Sequence, residues 1–108
     1  MKDFIIVNCT VPTREIALRI AEDLVGSRQA ACVNIIPNIA SVYRWKGALQ
    51  HDDELLLIIK TRKALFGTIC ERIKALHPYE VPEIVSVDMT DGSDSYLQWI
   101  FESTKPER

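Results

Sequence analysis

The chain has 108 residues, the length of one ordinary domain, with 13 basic and 15 acidic residues and a formal charge of −2. A near-neutral chain without basic blocks argues against a nucleic acid or an anionic membrane surface as the main partner. No stretch approaches the length of a membrane span, and the apolar run near the start is too short for a secretory signal.

The cysteines also bear on the compartment in which the protein works. Cys9, Cys32 and Cys70 are odd in number and widely spaced, and no CxxC pair occurs. This pattern fits neither a disulfide framework nor a zinc knuckle. We therefore expect a reduced, cytoplasmic protein.

The first predicted elements are a strand and a helix. Residues 4–11, FIIVNCTV, form a continuous apolar and β-branched run that is typical of a buried strand. Pro12 then opens a helix with a single apolar stripe, and Gly26 ends it.

A long hairpin is predicted next. Residues 30–45 form its first arm, with a bulge or edge position at Pro37, because proline cannot donate to a sheet ladder. Lys46-Gly47 is the predicted tip, and residues 48–61 return as the second arm.

A second helix follows the hairpin and ends at a rigid loop. Its apolar face consists of Leu65, Ile69, Ile73 and Leu76. Two prolines stiffen the loop over residues 77–82, since each fixes its own φ and restricts the residue before it.

The last predicted elements are a short strand and a terminal helix. The strand spans residues 83–89, and a turn at Asp91-Gly92 follows it. Ser93 is the predicted N-cap of the helix, and Asp94 suits its first turn. The tail STKPER is expected to fray.

The element order βαββαβ plus a terminal helix defines the fold class. It predicts one α+β, ferredoxin-like domain over residues 1–108, with a long central hairpin and the spatial strand order 4-1-3-2.

Two features predict an oligomer. Residues 4–11 and 55–59 are apolar on both faces, although two helices cover only one face of such a sheet. The hairpin arms are longer than the first strand, so Tyr43 and Trp45 would lie exposed on a monomer. The terminal helix covering part of the open face is the alternative. We favour a homo-oligomer in which sheet faces pack together and hairpins reach neighbouring subunits.

The topology places Cys9 and His77 at the same end of adjacent elements, and three interpretations follow. A thiol and an imidazole suit copper or zinc, with Glu80, Glu83 or a neighbouring subunit completing the site. Alternatively, His77 activates Cys9 as a nucleophile, which would require a depressed thiol pKa. In the third interpretation, Cys9 is a core thiol and His77 caps a helix.

The run HDDE at residues 51–54 is also rich in potential metal ligands. On an extended strand, however, His51 and Asp53 face away from Asp52 and Glu54. A solvated strand edge is the favoured interpretation of this run.

Four collinear motifs, AACVNIIPNIASVYRWKG, ELLLIIKT, LHPYEVPEI and YLQWI, resemble the CutA family of divalent-cation tolerance proteins. The resemblance covers nearly the whole chain. It implies a ferredoxin-like subunit in a PII-like homotrimer built by strand pairing between subunits. It also implies a copper site whose cysteine falls on Cys9 and whose second histidine falls on His77. The first histidine of that motif falls on Leu76, which cannot bind a metal.

The leading functional hypothesis is a non-enzymatic, trimeric protein that binds copper or another divalent cation weakly and contributes to cation tolerance. Cys9 and His77 are its predicted metal ligands, with Glu80 and Glu83 as further candidates. The alternative is a PII-like signalling or protein-interaction module that binds a small ligand or a partner at clefts between subunits.

Overall fold

The computed structural model describes residues 3–106, which form one antiparallel sheet and three α-helices. The strands are β1 (Phe4–Val11), β2 (Cys32–Trp45), β3 (Ala48–Arg62) and β4 (Val85–Asp88). The helices are α1 (Arg14–Gly26), α2 (Phe66–Leu76) and α3 (Asp94–Thr104), and a 3-10 turn at Lys63–Leu65 precedes α2. Within residues 3–106, no helix has the length and apolar character needed to cross a lipid bilayer. The element boundaries lie close to those predicted from the sequence.

The sheet order is β2-β3-β1-β4, which confirms the predicted ferredoxin-like arrangement. β1 pairs with β3 along its whole length, from Phe4 opposite Arg62 to Val11 opposite Leu55. β4 pairs with only four residues of β1, from Ile5 to Asn8. In the described part of the chain, residues 48–54 of β3 therefore pair with β2 and with no other strand.

The hairpin contains the predicted irregularity at Pro37. The register passes from Ile36 opposite Leu56 to Ile39 opposite Glu54, so two residues of β2 face one residue of β3. Asn38 adopts a left-handed φ of 64° at this bulge. The bulge lies where the hairpin leaves the rest of the sheet, and it bends the strand there.

One face of the sheet carries the main hydrophobic core. Alternate residues of β1 point to this face, and all of them are fully buried: Ile5, Val7, Cys9 and Val11. They pack against α1 and α2, which contribute residues that include Ile20, Leu24, Ile69 and Ile73. The alternation of β1 thus confirms Cys9 as a core position.

The opposite face is covered only in part. Ile100 of α3 packs with Phe4 and Ala31, so the terminal helix closes one end of this face, as the alternative predicted. Farther along, the face stays open: Val85 and Val87 are 51% and 54% exposed. A monomer therefore leaves part of its second apolar face in water.

The end of α3 corrects one prediction, because Ser103 and Thr104 belong to the helix and are not frayed. The Thr104 hydroxyl donates a hydrogen bond to Ile100 O and accepts one from Arg62 Nε, both at 2.8 Å. These bonds join the last helical turn to β3. Glu107 and Arg108, the last residues of the predicted tail, lie outside the described residues.

The outer half of the hairpin projects from the body of the fold. It gives the described residues a longest dimension of 46 Å, against 27 and 22 Å in the other directions. Lys46 and Gly47, at the predicted tip, both have positive φ, of 51° and 80°, as a two-residue turn of this kind requires. Val42 and Leu49 near the tip are 61% and 63% exposed.

Candidate functional site

The loop between α2 and β4 begins at His77, which ends α2. The backbone N–H of His77 donates to Ile73 O at 2.8 Å, and its own φ and ψ are extended, at −87° and 134°. Pro78 favours this conformation, because proline disfavours a helical conformation in the residue before it. α2 therefore ends at Leu76, and His77 is its C-cap.

The His77 side chain is buried, and both of its ring nitrogens have partners within the chain. Nδ1 accepts a hydrogen bond from the Tyr79 backbone N–H at 3.2 Å, so Nδ1 carries no proton. Nε2 lies 2.8 Å from Thr10 O, a carbonyl oxygen that can only accept. The network therefore assigns a neutral imidazole protonated at Nε2.

Cys9 lies one residue before that carbonyl group and is fully buried. Its Sγ donates to Thr10 O at 3.7 Å. Burial, together with the negative charges of Glu83 and Glu54 and the nearby Cys70, raises the pKa of the Cys9 thiol to about 12. The thiol is therefore protonated at neutral pH.

The predicted proximity of Cys9 and His77 is confirmed, since both side chains donate to Thr10 O. The thiol enzyme, however, required a depressed Cys9 pKa, and that prediction is wrong. A buried, protonated thiol is a poor nucleophile, because the thiolate is the reactive form.

The other predicted metal ligands lie on the exposed side of this loop. Glu80 and Glu83 are both exposed and line the wall of a groove. Leu76 packs against the hydrophobic core. Within residues 3–106, no three His, Cys, Asp or Glu side chains come close enough together to hold a metal ion. The described part of a single chain thus brings together Cys9 and His77 but no third protein ligand of these types.

The groove beside this loop has a volume of about 720 Å³. It lies where β3 continues past the end of β1, between the loop and the outer half of the hairpin. Across it, the Tyr79 hydroxyl donates to Glu54 Oε2 at 2.7 Å. Burial, together with this hydrogen bond, raises the pKa of Tyr79 well above its ordinary value.

The walls of the groove are acidic and aromatic. The carboxylates come from Glu54, Glu80 and Glu83, and the rings from Tyr43, Trp45 and Tyr79. Among the residues that the structure describes, no Lys, Arg or His lines the groove. Tyr43 also donates a hydrogen bond to the Asp52 carboxylate. The groove therefore favours a cationic ligand over an anionic one.

The prediction that residues 51–54 form a solvated strand edge is confirmed for the first three residues and wrong for the fourth. His51, Asp52 and Asp53 are exposed, whereas Glu54 is only 5% exposed. The pairing of β1 with β3 ends at Leu55. Glu54, the next residue of β3, is buried because the loop that carries Tyr79 covers β3 there. The polar contact between Tyr79 and Glu54 was not predicted from the sequence. The one available signal was a tyrosine held between two prolines.

Residues 5–103 match the family model of the CutA1 divalent ion tolerance protein. The divalent-cation tolerance protein CutA of Thermus thermophilus is 50% identical over 92% of this chain and 96% of its own length. The chloroplastic CutA protein of Arabidopsis thaliana is 48% identical over 94% of this chain, which spans 56% of that relative.

Solved structures agree with the sequence comparison. The Thermus thermophilus divalent cation tolerance protein has a TM-score of 0.92 at 49% identity, covering 94% of this chain and 99% of its own. The periplasmic divalent cation tolerance protein CutA of Archaeoglobus fulgidus also has a TM-score of 0.92, at 35% identity, with the same coverage of 94% and 99%.

Proposed function

Because the chain belongs to the CutA1 family of divalent ion tolerance proteins, we propose that it is a non-enzymatic homotrimer that binds copper or another divalent cation weakly. The family membership itself supports a role in metal tolerance. The metal, its ligands and the trimer are the specific content of the proposal.

The observation that carries the proposal is the convergence of Cys9 and His77 on one carbonyl oxygen, that of Thr10. A sulfur and an imidazole nitrogen close together suit copper, and they also suit zinc. A metal that binds this pair must displace the thiol proton and one hydrogen bond of the imidazole. Both displacements oppose binding, which agrees with weak affinity.

Completion of the site requires ligands beyond this pair. Glu80 and Glu83 are exposed on the same loop, and a neighbouring subunit is the other source. The trimer is supported by the open second face of the sheet and by the projecting apolar hairpin. Within residues 3–106, the edge strands β2 and β4 each have one side without a strand neighbour, so that strands of adjacent subunits can pair there.

A metal titration tests the proposal. Cu²⁺ and Zn²⁺ are titrated calorimetrically into the wild type, Cys9→Ser, His77→Ala and the control Cys32→Ser, which changes a half-buried cysteine at the start of β2. We expect binding by the wild type and the control and loss of binding in the two site variants. The native mass of each variant is measured in parallel. Binding that persists in both site variants, or is absent from the wild type, contradicts the proposed ligands.

The proposed location is the cytoplasm, where the three cysteines, all free in the structure, stay reduced. Relatives are named for other compartments, since one is chloroplastic and another periplasmic. Fractionation of cells that express the native gene tests this location.

A further inference from the structure

Glu54 is a buried carboxylate whose charge has little compensation within the chain. It is 5% exposed, and its Oε2 accepts one hydrogen bond, from Tyr79. Among residues 3–106, no donor reaches its Oε1 and no Lys, Arg or His forms an ion pair with it. Oε1 is not among the solvent-inaccessible atoms, and Glu54 is part of the lining of the groove.

Such a carboxylate calls for a positive partner from outside the chain. Burial of a charge is unfavourable unless a counter-charge or several hydrogen bonds replace the lost water. One hydroxyl donor, from Tyr79, supplies only part of that replacement. A cationic N–H donor in the groove would bond to Oε1 while Tyr79 holds Oε2.

The rest of the groove suits the apolar body of an organic cation. Tyr43 and Trp45 of β2 form part of its wall, and aromatic rings of this kind attract cations. The Lys46 ammonium already lies 5.7 Å from the centre of the Trp45 ring. A volume of about 720 Å³ is in the range of small-molecule sites. Glu80 and Glu83 add negative charge at the exposed side.

We propose that this groove binds a small organic cation, an amine or guanidinium compound with an apolar body, through Glu54 at its floor and Tyr43 and Trp45 on its wall. A bare metal ion fits less well, because Glu54, Glu80 and Glu83 do not converge into a ligand cluster within residues 3–106. The proposed contacts of the organic cation involve neither Cys9 nor His77, although Glu80 and Glu83 are also candidates for completing the metal site.

The experiment uses 2-phenylethylamine, which is protonated at pH 7, and its neutral counterpart 2-phenylethanol. Binding of each probe to the full chain is measured by calorimetry or NMR. We expect the amine to bind at least about tenfold more tightly than the alcohol, because a hydrogen bond to a charged partner in a buried site is strong. Glu54→Gln should remove this preference and leave alcohol binding unchanged.

Further variants test the proposal even if Glu54→Gln does not fold. Glu80→Gln/Glu83→Gln changes only exposed positions and should weaken amine binding several-fold. Glu71→Gln, an exposed carboxylate on α2, is the matched control and should have no effect. Cys9→Ser should lose copper but retain the amine, which separates this proposal from the metal proposal.

Three results would overturn the proposal. Equal binding of amine and alcohol would show an apolar groove without cation recognition. Amine binding that survives Glu54→Gln would place the ligand elsewhere. If neither probe binds and the native mass falls in Glu54→Gln, a neighbouring subunit's basic side chain, and no free ligand, neutralises Glu54.

Discussion

Cys9 and His77 donate hydrogen bonds to the same acceptor, Thr10 O, at 3.7 Å from Sγ and 2.8 Å from Nε2. The imidazole thereby joins the end of α2 to the end of β1, across 67 residues of sequence. Because His77 also accepts from the Tyr79 N–H, it fixes the start of the loop that forms the groove. The candidate metal pair and the groove therefore share one structural support.

The first prediction concerns this support. His77→Ala leaves Thr10 O and the Tyr79 N–H without the imidazole, so we expect the free energy of unfolding to fall by about 2 kcal/mol. Urea denaturation measures the change. The other histidine supplies the control, because His51 is exposed and His51→Ala should stay within about 0.5 kcal/mol of wild type. Equal effects of the two variants would contradict a structural role for His77.

The second prediction concerns alkaline stability. The Cys9 thiol ionises near its ordinary pKa of 9.0 in the unfolded chain but only at about 12 in the folded protein. The folded state therefore holds a proton that the unfolded state has lost, and stability, complete below pH 9, declines as the pH rises towards 12. Denaturant midpoints measured from pH 8 to about pH 11 should show this decline.

Cys9→Ala separates the thiol from other alkaline effects. It lowers stability at every pH, since it leaves a small cavity, but the decline above pH 9 should become shallower. The control Cys32→Ala should keep the wild-type slope, because Cys32 is not among the groups that raise the Cys9 pKa. The Tyr79 phenol, whose pKa is also raised, accounts for part of the remaining slope. An unchanged slope in Cys9→Ala would show that the buried thiol does not cause the loss of stability above pH 9.

The third prediction tests the open face of the sheet. Val87 is 54% exposed on β4, so Val87→Lys should scarcely affect an isolated subunit but should oppose packing between sheet faces. We expect the native mass to fall from trimer towards monomer at micromolar concentration. Val25→Lys is the control and should leave the native mass unchanged, because Val25 is 43% exposed but lies on α1, away from the open sheet face. Dissociation by both variants, or by neither, would contradict the proposed interface.

The fourth prediction concerns the attachment of α3. Thr104→Val keeps the shape of the side chain but removes the acceptor of the Arg62 Nε hydrogen bond and the donor to Ile100 O. We expect a loss of about 1 to 3 kcal/mol, because Arg62 Nε is left without this partner in a half-buried position. Thr68→Val, at an exposed position of α2, should change stability little. Thermal unfolding of the three proteins compares them directly.

The order of elements was predictable because each one is encoded locally. The alternation in β1, the apolar stripes of the helices, Ser93 as N-cap and the two-residue turn at Lys46-Gly47 depend on residues within a few positions of one another. The terminal helix was misjudged at Thr104. The polar side chain there is buried, and Arg62, distant in sequence, donates a hydrogen bond to its hydroxyl.

The fold class, the strand order and the placement of Cys9 and His77 at one end of the sheet were predictable from the amino-acid sequence, because they follow from periodicity and chain topology. The protonation and hydrogen bonding of the individual side chains became clear from the three-dimensional structure. It showed that Cys9 is a protonated core thiol, that both His77 nitrogens are engaged, and that Glu54 is buried beside Tyr79. Burial and hydrogen bonding depend on atoms from strands and loops far apart in sequence, and no local pattern encodes them.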